Sequence, residues 1–249
     1  MAHAQRVNLQ PAYVLHRRSF RETSFLVELF TIEYGRVTVM ARGAHKAKSQ
    51  VPGLLQSFMP LLVSWSGRGE LTTLTRVEAK QYAVRLQGDC LFAGLYLNEL
   101  LMRLLHKWDT HTELYKIYGK TIEILQTPPL LQKTLRSFEK SLLEILGYGI
   151  LSQSDRSIVQ RFLPDQFYRF IPGSGFLLSE TEETFSAGPN VFSGKNLLAI
   201  AAEDWRDNSI LSDAKRLTRF ALAPLLGNQP VYSRTLLRKP LEKLDELKK

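Results

Sequence analysis

The sequence predicts an α+β chain in which a small β-barrel is followed by a mainly α-helical domain. Three observations predict it. Over residues 1–80, apolar side chains alternate with polar ones in short runs separated by turn residues, the pattern of strands. After Gln81 the apolar residues recur at helical spacing instead. Positive charge is also gathered at the front: residues 1–82 carry 11 basic and 5 acidic side chains, and so supply 6 of the formal net charge of +9.

The first two predicted strands are Ala12–Arg18 and Ser24–Thr31, joined by the polar link Ser19–Thr23. Glu33-Tyr34-Gly35 turns the chain into Arg36–Ala41, where Val37, Val39 and Ala41 share one face. A long loop leads to the apolar strand Pro60–Trp65, and Ser66-Gly67-Arg68-Gly69 turns into Glu70–Val77. Five strands with one long loop after the third fit a closed barrel of the OB type, and an SH3-like barrel fits the same pattern.

Leu91–Trp108, Glu113–Leu125 and Leu130–Leu146 are predicted helices, each with an apolar stripe. Pro128-Pro129 separates the last two, and Gly147-Tyr148-Gly149 ends the third. Phe167–Leu178 reads as a hairpin around Pro172-Gly173-Ser174-Gly175. Helical spacing returns at Ser193–Ala202 and Asp213–Leu226, and the Lys-rich tail from Arg238 reads as frayed. The division expected is an OB-fold domain over residues 1–82 and a helical domain over 83–249, with an irregular hairpin insertion at about 151–190.

Several function classes are disfavoured. Cys90 is the single cysteine, which excludes an intrachain disulfide and a cysteine-rich zinc site. The five histidines have no ligand spacing, with His106 and His111 poorly placed to share a helix face. No membrane-spanning run and no signal-peptide core is present, so a soluble cytoplasmic protein is expected. G-x-S-x-G, H-E-x-x-H, P-loop and kinase signatures are absent, and Gly67 and Gly69 read as turn residues, so no enzyme and no cofactor is expected.

The basic loop carries the positive reading. Gly35-Arg-Val-Thr-Val-Met-Ala-Arg-Gly-Ala-His-Lys-Ala-Lys-Ser49 delivers Arg42, Lys46 and Lys48 from the end of a strand, with no acidic residue between Glu33 and Glu70. A strand ending in uncompensated cations suits a phosphate backbone, whereas a merely solvated loop is the competing reading. Arg36, Arg68 and Arg76 join them as candidate DNA contacts of the barrel. Tyr34, Phe58 and Trp65 are candidates for base stacking, or else for the core. Lys215, Arg216 and Arg219 make a compact basic patch on a helix, which either extends the DNA path or is a solvated face.

Ordered motifs then give the chain a family resemblance. They are Tyr13-Val-Leu-His16, Glu22-Thr-Ser24, Gly35-Arg36, Ala41-Arg-Gly-Ala44, Leu55-Gln-Ser-Phe58 with Pro60-Leu-Leu62, and Leu95-Tyr-Leu-Asn-Glu-Leu-Leu101. Leu135-Arg-Ser-Phe-Glu139, Leu146-Gly-Tyr-Gly149 and Ala214-Lys-Arg-Leu-Thr-Arg219 complete the set. In this order the chain, over about residues 10–240, resembles the RecO family of bacterial recombination mediators. The resemblance implies an OB-fold followed by a helical domain. It also implies binding of single- and double-stranded DNA, and annealing of strands coated with single-strand binding protein. It further implies work with RecR, and often RecF, to load RecA, at the nucleoid.

Many members carry a four-cysteine zinc motif after the Gly-Tyr-Gly element, and this chain has no cysteine in residues 151–185. A metal-free insertion is therefore expected, with Phe162, Phe167, Tyr168, Phe170 and Phe176 packing in its place. The resemblance also implies a groove for the C-terminal tail of single-strand binding protein. Arg136 beside Leu135, Phe138 and Leu142 would take its carboxylate, helped by Lys133. An exposed arginine on an amphipathic helix is the alternative for Arg136. Two other classes compete with the mediator as a whole: an RNA-binding or ribosome-associated OB protein, and a scaffold with incidental charge.

Overall fold

A computed structural model of the chain describes residues 5–44, 49–69, 71–151, 162–179 and 188–236. Lys46, Lys48 and the tail from Arg238 lie outside them. The chain forms two compact units: Met1–Pro128 with Pro230–Lys249, and Pro129–Gln229.

The first unit begins with β1 (Gln5–Phe20), β2 (Ser24–Thr31) and β3 (Gly35–Ala41), followed by β4 (Leu61–Gly67) and β5 (Leu71–Ala79). They close in the order β1-β2-β3-β5-β4, with β3 and β5 parallel and the other pairs antiparallel. This is the OB-like arrangement, and closure leaves no open sheet edge. The alternating apolar positions meet inside: Val27, Leu29, Val37, Val39, Leu61, Val63 and Trp65 are fully buried. Each such side chain stabilises the fold by about 1.5–3 kcal/mol.

β1 starts at Gln5, seven residues before the strand expected from alternation. Its first half pairs with β4, from Gln5↔Gly67 to Ala12↔Leu61, and its second half with β2, from Ala12↔Thr31 to Phe20↔Ser24. The register shifts between Val7 and Gln10 and again between Val14 and His16. Each shift resets the in–out alternation, which hides the length of the strand from a period-2 reading. The first shift contains Leu9, at φ +48, whose N–H donates to Ser64 Oγ at 3.0 Å.

After a single helical turn, α1 (Val51–Leu54), the unit continues beyond β5 with α2 (Gly88–Leu104) and α3 (Thr112–Ile124). Asn98 of α2 donates to the Leu15 carbonyl at 3.0 Å, satisfying backbone at the second shift of β1, and accepts from the Tyr118 hydroxyl at 2.6 Å. Tyr13 and Phe30 from the strands meet Tyr115 and Tyr118 from α3 at centroid distances of 5.1–6.1 Å. Burial pushes the hydroxyls of Tyr13, Tyr115 and Tyr118 above the ordinary tyrosine pKa.

The link between α2 and α3 lies across the β2–β3 turn. Trp108 N–H donates to the Arg36 carbonyl at 3.0 Å, and the Thr110 and Thr112 hydroxyls to the Glu33 and Ile32 carbonyls at 2.7 and 3.0 Å. Gly35, at φ +61, makes the approach possible, because a Cβ there would lie 1.7 Å from the Asp109 carbonyl oxygen.

In the second unit, a 3-10 turn (Pro128–Leu130) leads into α4 (Leu131–Ile145). A small sheet of order β7-β6-β8 follows, from β6 (Phe167–Ile171), β7 (Gly175–Leu178) and β8 (Val191–Ser193). Next come α5 (Gly194–Ala201) and α6 (Asn208–Leu226). α6 starts five residues before the expected Asp213, capped by Asp207, which accepts from Ser209 N–H at 2.8 Å. Phe162, Tyr168, Phe170 and Phe176 pack ring against ring at 4.9–5.1 Å, and Phe167 is half-buried on β6. Finally α7 (Tyr232–Leu236) returns to α2 in the first unit, where Glu99 accepts from Tyr232 N–H at 3.0 Å and Ser233 N–H at 2.8 Å.

Gly35→Ala combines a strained φ with a backbone collision, so stability should drop by more than about 3 kcal/mol. Gly53→Ala, where a Cβ meets nothing within 4 Å, should stay within about 0.5 kcal/mol of the parent. Urea unfolding of the two variants checks this.

Candidate nucleic-acid interface

Register decides which cations of the barrel share a surface. One rung of the sheet runs Arg18–Leu26–Met40, the next Ser19–Phe25–Ala41, and the β1–β2 hairpin closes at Phe20–Ser24. Arg42 follows directly after Ala41, so Arg18, Arg21 and Arg42 lie at one end of the sheet. All three are exposed, and none is in an ion pair among the described residues. Arg17 anchors the base of this hairpin: its guanidinium stacks 4.7 Å over the Phe25 ring and donates to the Pro52 carbonyl of α1 at 2.7 Å. The tip is cationic, with Glu22 the acidic residue in its turn.

The other expected cations are placed differently. Arg36 is turned inward, correcting the expectation that it contacts DNA. Its guanidinium donates to the Met102 carbonyl of α2 and sits 3.8 Å from Glu28, with 16% of its side chain exposed. The α2–α3 link covers this start of β3. Arg76 is exposed and in an ion pair with Glu78, whose carboxylate partly offsets its charge. Arg68 is exposed in the β4–β5 turn, beside Gln5 and therefore at the far end of β1 from the hairpin.

The aromatic candidates belong to the core. Trp65 is fully buried, Tyr34 packs edge-on against it at 5.3 Å, and Phe58 is 5% exposed with its ring against Gly94. Trp65 and Phe58 present no face for a base, and Tyr34 is partly buried against the barrel core.

On α6, Lys215 and Arg219 are exposed. Arg216 is not part of an open patch. It lies 4.6 Å over the Phe192 ring, donates to the Val191 carbonyl at 2.5 Å and pairs with Asp213 at 3.0 Å. Its role is to tie α6 to β8.

α4 departs furthest from expectation. Leu135, Phe138 and Leu142 are buried core, and the Arg136 guanidinium is buried with them. Arg136 Nη1 lies 2.7 Å from Glu139 Oε2 and donates to Thr218 Oγ1 of α6 at 3.2 Å, while Thr218 donates to the same carboxylate at 2.5 Å. An accessible guanidinium at the edge of an apolar groove is not what this helix offers. One turn on, Lys140 donates to the Ala201 carbonyl at 2.9 Å and pairs with Glu203 at 3.2 Å, and Ser137 donates to Glu203 at 2.8 Å. Lys133 is exposed.

Among the described residues no group of three or more His, Cys, Asp or Glu side chains is placed to hold a metal ion, and no helix is long and apolar enough to cross a membrane.

Comparison with known proteins fits this architecture. The model described as "Recombination protein O N terminal" matches residues 6–83, and that described as "Recombination protein O C terminal" matches residues 85–235. The chain belongs to the RecO family. It is 47% identical over 233 residues to the DNA repair protein RecO of Coxiella burnetii (strain RSA 331 / Henzerling II), covering 94% of this chain and 99% of that one. Its identity to the DNA repair protein RecO of Actinobacillus pleuropneumoniae serotype 3 (strain JL03) is 39% over 232 residues, covering 93% and 95%. RecO membership carries a role in DNA repair and recombination.

Arg18 and Arg21 are the residues that sequence reasoning missed. The signal is three arginines within five residues running into a three-residue hairpin turn, Arg17-Arg18-Ser19-Phe20-Arg21.

Arg136→Ala should lower stability by about 3–5 kcal/mol, because it strands the Glu139 carboxylate in the interior. Arg136→Met combined with Glu139→Leu should recover most of the loss. Urea unfolding of both variants is the measurement, and a stable Arg136→Ala protein would contradict the buried pair.

Proposed function

We propose that the chain is a DNA-binding recombination mediator. Its barrel neutralises phosphates on single- and double-stranded DNA, and it anneals complementary strands coated with single-strand binding protein. With RecR, and with RecF where it takes part, it helps load RecA. The observation that carries this reading is the cationic end of the barrel, where Arg18, Arg21 and Arg42 lie together in a chain of the RecO family. Long exposed cations at a sheet end are what backbone neutralisation requires, with no need to read bases. Annealing by this route lowers the repulsion between two strands and brings them together, so no covalent step is assigned to any residue.

The docking of the single-strand binding protein tail belongs to the same proposal. Lys133, exposed on α4, is the cation of that helix open to a terminal carboxylate, while Arg136 acts inside the fold.

Six to ten phosphate contacts would give a slope of log K against log salt of about −5 to −9 on duplex DNA, shallower on single strands. Arg18→Glu with Arg42→Glu should flatten that slope by about 2 and slow annealing of coated strands. A slope near zero for the parent protein, or coated strands that it does not anneal, would sink the proposal.

A further inference from the structure

The tip of the β1–β2 hairpin carries a feature that phosphate neutralisation does not use. Phe20 is the last residue of β1 and is only half-buried, although the tip around it is polar and exposed. Its ring is covered by the guanidinium of the next residue, Arg21, with the guanidinium carbon 5.4 Å from the ring centroid. Arg21 is exposed and stands in the left-handed region at φ +53, a backbone state that a non-glycine residue adopts at a cost. The neighbouring aromatic is handled differently. Phe25 is 7% exposed, and the arginine over it is also anchored to the Pro52 carbonyl. One arginine–aromatic pair is thus anchored to α1, and the other stands at the exposed hairpin tip, at the end of the sheet that also bears Arg18 and Arg42.

We propose that Phe20 is a stacking position for one unpaired base of single-stranded DNA, with the Arg21 guanidinium as its movable cover. The inference rests on the nucleic-acid reading of this surface. A half-buried ring keeps part of its surface at the solvent edge, and a guanidinium that lies over a ring lies equally well over a base or against a phosphate. Every base has a π face, so stacking here is tolerant of sequence, as an annealing protein requires. It also demands an unpaired base. Phe20 therefore supplies what cations alone cannot, a preference for single strands over duplex.

The test is equilibrium binding of fluorescent oligothymidine and of a duplex of the same length to parent protein, Phe20→Leu and Phe20→Trp. Leucine keeps the apolar bulk beneath Arg21, so its melting temperature should match the parent. Its affinity for the single strand should fall about 5- to 150-fold, the range that base–aromatic stacking supplies, with the duplex unchanged within about twofold. Removing no charge, it should leave the salt slope as it was. Phe20→Trp should keep single-strand affinity and lose tryptophan fluorescence when the strand binds.

Unchanged single-strand affinity in Phe20→Leu would overturn the stacking position while leaving the mediator reading intact. Equal losses on both DNAs with a lowered melting temperature would make Phe20 a structural residue and overturn it too. A parent protein that binds neither DNA would remove the mediator reading itself, and the inference with it.

Discussion

The close approach of the α2–α3 link to the β2–β3 turn sets what the barrel can do. Asp109 occupies the space that any side chain at position 35 would fill, and three hydrogen bonds from Trp108, Thr110 and Thr112 hold the link in place. With the link there, the start of β3 is covered and Arg36 is drawn to Met102 and Glu28. At the opposite end of the same strands Arg18, Arg21 and Arg42 are exposed, and it is there that the proposed polyanion contact is placed.

Much of the fold was legible because its strands and helices keep their periods. β2, β3 and β4 read as short apolar runs bounded by turn residues, and their observed bounds lie within two residues of those expected. β1 was legible only in its second half, since two register shifts break the alternation that a reader follows. The start of α6, five residues before the Asp213 expected from spacing, is marked by the Asp207 cap. β8, three residues long, carries too little pattern to be seen.

The site was less legible than the fold, for a physical reason. A sequence shows where cations are, whereas function depends on which of them remain uncompensated after folding. Arg36, Arg76, Arg136 and Arg216 look alike in the sequence. Folding gives Arg36 a carbonyl and Glu28, Arg76 an ion pair with Glu78, Arg136 a buried carboxylate, and Arg216 an aromatic ring with Asp213. Of those four partners, only Glu139 and Asp213 sit at the i and i+3 spacing that a helical reading could have flagged. Trp65 and Phe58 illustrate the same limit for aromatics: in a short strand or turn, residue type alone does not separate a stacking platform from a core.

The central claim is that the phosphate surface is the hairpin end of the barrel. Arginine-selective chemical modification with and without bound oligonucleotide, read residue by residue by mass spectrometry, tests it most directly. The account predicts that DNA protects Arg18, Arg21 and Arg42, and leaves the reactivity of Arg36 and Arg76 as it was. Protection of Arg68 and Arg76, with the hairpin arginines still reactive, would place the DNA at the other end of β1 and contradict it.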